Sequence, residues 1–174
     1  MKYFSAFSGI GCFDFVLSKL GGMCVGHSEI DKYTDAIYAY QKYDSTNFGD
    51  IRNIQPKDIP SYDILTWSAP CQNFSVAGSR KGIEGFRGKL LFQFIPLLEY
   101  HQPKYFFLEN VKGLLNIQNG EVTNKLFKSL DQCGYDISWQ VVNARRWIPQ
   151  NRERLFIVGS IRGSGARKIF PLIS

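Results

Sequence analysis

Tyr62-Asp63-Ile64-Leu65-Thr66-Trp67-Ser68-Ala69-Pro70-Cys71-Gln72-Asn73-Phe74-Ser75 opens as an apolar run and closes as a polar loop. The part from Tyr62 to Trp67 reads as a buried strand, with Cys71 on the loop at its end. In open parallel α/β sheets, ligands and reacting groups gather at the carboxyl ends of strands. A thiol placed there, behind a proline that stiffens the turn, is positioned as a nucleophile. A free cysteine is more often a small buried apolar residue, so the reading depends on what the rest of the chain brings beside it.

Upstream, Lys2 to Phe7 is short, apolar and aromatic and reads as a first strand. Phe7-Ser8-Gly9-Ile10-Gly11-Cys12-Phe13 follows, then a helix from Asp14 to Leu20 ended by Gly21-Gly22. Strand, glycine turn and helix let backbone approach a ligand at a helix N-terminus; a simple tight turn would look the same. Met23 to Ser28 reads as a second strand, ending at Glu29-Ile30-Asp31. An acidic residue about 20 positions after the glycine turn commonly bonds ribose hydroxyls. The alternative is a helix cap, since Asp31 precedes an expected helix from Lys32 to Tyr40. Phe48-Gly49-Asp50-Ile51 closes an expected short third strand, where Asp50 either accepts from an adenine amino group or caps a turn.

Downstream, residues 75–88 form a glycine-rich basic stretch that reads as a long loop. A helix is expected from Leu90 to Tyr100, with Pro96 ending or kinking it. Tyr105-Phe106-Phe107-Leu108 is a continuous apolar strand leading to Glu109-Asn110-Val111, a second polar strand end. Asn119-Gly120 reads as a turn. Val122, Leu126, Phe127 and Leu130 have helical spacing within a helix from Glu121 to Cys133. Tyr135 to Val142 and Leu155 to Ser160 read as the last strands. Between them lies the densest basic stretch, Arg145-Arg146-Trp147-Ile148-Pro149-Gln150-Asn151-Arg152-Glu153-Arg154. Its guanidinium and amide groups suit the reading of acceptors, although such runs are usually solvated faces.

The whole is one α/β domain over residues 1–174, with a doubly wound, mostly parallel sheet. At 44% hydrophobic it has enough apolar residues for a core. No stretch approaches the ~20 apolar residues of a membrane helix, and the N-terminus lacks a signal-peptide pattern. The four cysteines show no short paired spacing, so no metal site is expected and a reduced cytoplasmic chain is the default. The net charge of +6 leans toward a polyanionic partner.

These strand-end residues, in this order, resemble the DNA cytosine-5 methyltransferase family. The resemblance is carried by Phe7-Ser8-Gly9-Ile10-Gly11, Glu29 with Asp31, Gly49-Asp50-Ile51, Pro70-Cys71-Gln72-Asn73-Phe74-Ser75, Phe107-Leu108-Glu109-Asn110-Val111 and Gln150-Asn151-Arg152-Glu153-Arg154. It implies a Rossmann-like S-adenosylmethionine-dependent methyltransferase fold, left incomplete at the C-terminus. It also implies methyl transfer to carbon 5 of a flipped-out cytosine in double-stranded DNA, with S-adenosylhomocysteine as product. Cys71 would add to carbon 6 as the thiolate. Glu109 would contact nitrogen 3 and the amino group, and must hold or share a proton to assist addition. Arg154 would bond the base oxygen, with Arg152 and Gln150 supporting that geometry. Asn110 would position the Pro70-Cys71 loop, while Gln72 and Ser75 lie on the substrate side. Phe7, Gly9 and Gly11 would line the methionine part of the cofactor. Glu29 would take the ribose hydroxyls, and Asp50 with the backbone at Ile51 the adenine, with Ile30 and Pro70 also on the cofactor side.

Three features depart from the family. Gly85 stands ahead of Phe86-Arg87-Gly88 where an acidic residue is usual. The segment from Asn143 to Pro149 is shorter and more basic than its counterparts. The chain stops at Ser174, where a target-recognition region would begin, so it is expected to be either a fragment or one chain of a split enzyme with a complementing polypeptide, in a prokaryotic or phage setting. Rival readings are the related branch that methylates cytosine in tRNA, and an inactive remnant or partner-binding module. A nicotinamide Rossmann enzyme is discounted because Asp14 stands where a third glycine would be.

Overall fold

The computed structural model describes residues 1–41, 45–70 and 90–164. Its elements run β1 (Lys2–Ala6), α1 (Cys12–Lys19), β2 (Met23–Ser28), α2 (Lys32–Tyr40), β3 (Ile64–Trp67), α3 (Ile95–His101), β4 (Tyr105–Val111), α4 (Glu121–Gln132), β5 (Tyr135–Asn143) and β6 (Glu153–Ile161). The sheet order is β2-β1-β3-β4-β6-β5. The first four strands are mutually parallel and β6 is antiparallel to both β4 and β5. The expected mostly parallel α/β sheet is therefore present.

Its two faces are packed differently. Phe4, Leu65, Trp67, Phe106, Leu108, Leu155 and Ile157 form the main core with Leu98 of α3 and Leu126 and Leu130 of α4. Each fully buried Phe or Leu contributes about 1.5–3 kcal/mol. On the other face, Tyr3 and Ile64 pack against Leu17 of α1 in a smaller cluster, with Tyr105 and Phe107 at its margin. Alternation along β4 separates the two: Phe106, Leu108 and Asn110 are buried, whereas Phe107, Glu109 and Val111 are half-buried.

Three expectations are corrected. Residues 48–51 form no strand: Asn47 makes a single parallel bridge with His27, and Ile51 opens a 3-10 turn at Ile51–Asn53. The Asn47 side chain takes the Gly49 N–H and Asp50 takes the Arg52 N–H, so local side-chain bonds end the ladder. The helix before β4 begins at Ile95, with Pro96 in its first turn rather than at a kink, because the missing N–H is not needed there. Finally, β4 continues through Val111, so Glu109 and Asn110 sit within the strand; the antiparallel β6 keeps their backbone paired.

Candidate active site

Parallel register brings three strand ends level: Ala6 pairs with Trp67, and Trp67 with Leu108. Phe7 and Ser68 therefore leave the sheet level with Glu109, which continues in β4 paired to β6. Because β6 runs the opposite way, its N-terminal end meets the same edge, with Glu109 opposite Phe156 and Val111 opposite Arg154. Glu109 and Arg154 thus share one face, and the Arg154 Nε donates to Glu109 Oε1 at 2.9 Å. A second guanidinium nitrogen, Nη1, donates to the Glu153 carbonyl at 2.9 Å, which fixes the plane of the group.

The glycine turn approaches from the other side. Phe7, Gly9 and Gly11 all have positive φ, at 52°, 56° and 85°. A Cβ built on Gly9 would meet nothing within 4 Å, so backbone conformation rather than space selects glycine there. The Gly9 N–H donates to Glu29 Oε2 at 3.0 Å, while Oε1 accepts from Ile30 and Asp31 N–H at 2.9 and 2.8 Å. One carboxylate therefore ties the turn after β1 to the loop after β2. Ser8 Oγ is buried without a hydrogen-bond partner among the described residues. An orphaned hydroxyl inside a tight turn is an opening for a polar ligand group.

Between turn and pair lies a cleft of about 650 Å³. Phe7, Gly9 and Cys12 line one side, and Glu109, Arg152, Arg154 and Trp147 the other. The volume lies in the range of small-molecule and cofactor sites. It brings together Phe7, Gly9, Glu109, Arg152 and Arg154 of the residues named from sequence. Gly11 lies apart, in a smaller hollow with Gln41. Asp50 caps Ile51–Asn53 and is paired with Arg52, whose guanidinium holds its carboxyl below the usual carboxylate range. Its turn-capping alternative is thus present. Asp31 likewise caps α2, accepting from Tyr33 and Thr34 N–H at 3.0 and 2.7 Å. Ile30 is exposed and Ile51 buried.

Asn110 is fully buried; its Nδ2 donates to the Ala69 carbonyl at 3.5 Å and its Oδ1 accepts from the Val111 N–H. That contact reaches the residue before Pro70. Cys71, Gln72 and Ser75 lie outside the described residues. Gln150 is exposed, and its N–H bonds back to the Ile148 carbonyl at 2.7 Å.

Sequence reasoning missed four participants. Asn47 accepts the Glu29 N–H and donates to the Glu29 carbonyl. Asn143 accepts from Arg145 and Arg152 N–H at 3.0 and 3.2 Å, closing the loop that delivers Arg152. Cys12 and Trp147 line the cleft. An asparagine at a strand end is a local capping signal, but nothing in one dimension says which backbone it will meet.

The family model for C-5 cytosine-specific DNA methylase matches residues 1–171. An orphan methyltransferase of Bacillus phage rho11s, M.Rho11sI, is 44% identical over 164 residues, covering 91% of this chain and 33% of that protein. The type II methyltransferase M.NgoBI of Neisseria gonorrhoeae is 42% identical over 159 residues, covering 91% of this chain and 50% of that one. The chain thus spans between a third and a half of the length of these two relatives. Among solved structures, Dnmt2 methyltransferase of S. pombe superposes with a TM-score of 0.78 at 23% identity, over 97% of this chain and 53% of that one. An Entamoeba histolytica methyltransferase, EhMeth, superposes with a TM-score of 0.80 at 20% identity, over 96% and 55%. The last two share the fold. With the family model matching almost from end to end on a sheet whose strand ends carry the ordered motifs, the chain belongs to the C-5 cytosine-specific DNA methylase family.

Proposed function

We propose that this chain supplies the catalytic part of a DNA cytosine-5 methyltransferase, acting inside a prokaryotic or phage-infected cell with a complementing polypeptide. The observation that carries the reading is the Glu109–Arg154 pair facing the glycine turn across one cleft. A pyrimidine ring needs such a pair: a carboxyl for the ring nitrogen and amino group, and a guanidinium for the ring oxygen. S-adenosylmethionine, when bound, supplies an electrophilic methyl group. The orphaned Ser8 hydroxyl and the open space over Gly9 fit its polar and backbone-hugging parts. Phe7 and Gly9 would hold its methionine end and Glu29 the ribose, while Gly11, in its separate hollow, would act only by shaping the turn. Asp50 would take the adenine only by sharing its carboxylate with Arg52.

Cys71 would add as thiolate to carbon 6 of an extracted cytosine. The new carbon–sulfur bond makes carbon 5 electron-rich, and Glu109 supports the charge change at nitrogen 3. After methylation, loss of the carbon 5 proton expels the thiolate and restores the ring. The complementing polypeptide has a surface to cover. Val142 and Phe156 line the open cleft, and Phe15 and Val16 of α1 and Leu20 just after it are 49%, 54% and 72% exposed.

The test is adduct formation with an oligonucleotide carrying 5-fluorocytosine, which blocks release, in the presence of S-adenosylmethionine and the C-terminal part of a phage relative. A covalent adduct that disappears in Cys71→Ser is expected. An adduct formed only with tRNA would move the chain to the RNA branch. Cofactor binding with no adduct to either would make it a non-catalytic module.

A further inference from the structure

Trp147 lines the cleft, and neither the fold nor the proposed chemistry accounts for it. It is 69% exposed, although an indole is among the costliest groups to leave in water. The other exposed tryptophan, Trp139, leans on Phe127 with ring centroids 6.2 Å apart. Trp147 has no such ring partner among the described residues. It is also not a frayed end. Its N–H donates to the Ala144 carbonyl at 2.9 Å, the Ile148 N–H to the same carbonyl at 3.0 Å, and the Ala144 N–H to the Arg152 carbonyl at 3.0 Å. The Asn143 side chain clamps both ends of that loop. The loop therefore holds an unpartnered aromatic face in a set place, at the rim shared by Glu109, Arg152 and Arg154. Arg145 and Arg146, both exposed, precede it directly.

We infer that Trp147 is a stacking platform for an unstacked DNA base at the mouth of the cleft. This deepens the function proposed above and rests on it for the choice of DNA. Aromatic faces interleaved with cationic side chains are the recurring means of holding bases out of a duplex, because every base offers a π-face and every phosphate a charge. Arg145, Arg146 and Arg152 supply the phosphate contacts, and Trp147 removes part of the cost of unstacking a base from its neighbours. Stacking uses the π-face that every base offers, so the platform is tolerant of base identity.

The test uses the chain of residues 1–174 and two short duplexes of equal length, one fully paired and one with a single unpaired base. The unpaired base is cytosine in one series and adenine in another. Wild type is expected to bind the duplex with the unpaired base about tenfold more tightly, with quenching of tryptophan fluorescence. Trp147→Leu should lose both the preference and the quench, and Trp147→Phe should keep most of the preference. A preference that survives Trp147→Leu, or no preference in wild type, overturns the inference. Quenching by S-adenosylmethionine alone, and not by DNA, overturns it in favour of a cofactor contact. A Trp147-dependent preference without any methyl transfer would uphold the platform while the methyltransferase reading failed, so the two are separable.

Discussion

At the scale of single residues, the ion pair between Glu109 and Arg154 is the feature on which the proposed base pocket rests. The two side chains are 22% and 24% exposed, so a ligand reaches both without unfolding anything. Arg154 is also anchored on the Glu153 carbonyl through Nη1. Glu109→Gln keeps the shape but cannot supply a proton. With the complemented enzyme it should lower turnover by about 10²–10⁴-fold while base affinity changes far less. Single-turnover rates beside equilibrium binding to DNA check this; equal losses in both would assign Glu109 to binding alone. Glu29 makes a second prediction. Its carboxylate holds three backbone N–H groups, those of Gly9, Ile30 and Asp31. Glu29→Ala should weaken S-adenosylmethionine binding at least tenfold, since it removes the proposed ribose acceptor and frees the turn, with each lost charged hydrogen bond costing about 1.5–3 kcal/mol. The isolated chain should bind the cofactor weakly to begin with. Calorimetry on both proteins decides, and tight binding indifferent to Glu29 would remove it from the cofactor site.

At the scale of elements, β4 and β6 form the spine that carries the pair, and their fit depends on one glycine. Gly159 pairs with Phe106, and a Cβ added there would run into the Phe106 ring. Phe106 is fully buried in the main core, so the ring cannot swing aside freely. Gly159→Ala should therefore destabilise by about 1–3 kcal/mol, read as a lower urea midpoint with an unchanged slope. Helix α2 gives an acid-sensitive counterpart. Backbone N–H groups of Thr34 and Tyr33 hold the Asp31 carboxyl below its ordinary value, and the His27 side chain does the same for Asp35 at 2.9 Å. A carboxyl depressed in the folded state stabilises above its unfolded value of about 3.9 and loses that contribution as pH falls through the folded value. Asp35→Asn should flatten the decline in stability as pH falls below about 4, and unfolding curves through the acid range are the check. An unaltered acid limb would show that the His27 contact carries no linkage.

At the scale of the molecule, the two faces of the sheet are unequally served. One has α3 and α4 over the main core, whereas the other has Leu17 of α1 over Tyr3 and Ile64, and Phe107 is left at its margin. Basic side chains gather on the open side, Arg152 and Arg154 among them. Such charge positions a duplex through its phosphates and carries no sequence information. Expressed alone, the chain should give no methylation at a defined DNA sequence and should gain it only with a complementing polypeptide. Bisulfite sequencing of plasmid DNA from cells making residues 1–174 alone, and then both parts, is the measurement. Purified alone, the chain should bind DNA weakly and lose affinity steeply with salt. Efficient methylation at one site by the chain alone would place recognition within it.

The sequence by itself determined the class of the fold and the family. Apolar runs such as Tyr105–Leu108 and the spaced Val122, Leu126 and Leu130 are local patterns, and hydrophobic periodicity acts over a few residues. It also supplied most of the chemically equipped residues, because glycine turns and polar strand ends are written in short stretches. Only the tertiary structure decided which of them meet. The antiparallel turn of β6 is what carries Arg154 back to Glu109, across 45 positions of chain that no local rule connects. The expected third strand failed for the same reason in reverse: Asn47 found the Glu29 backbone, a partner 18 residues away, and left the sheet at a single bridge. Trp147 reads in sequence as one residue in a basic run, and becomes an unpartnered aromatic face only when the loop between β5 and β6 folds onto the rim of the cleft. Propensity acts along the chain, whereas side-chain polar contacts and packing are chosen across it, and the site is made of the second kind.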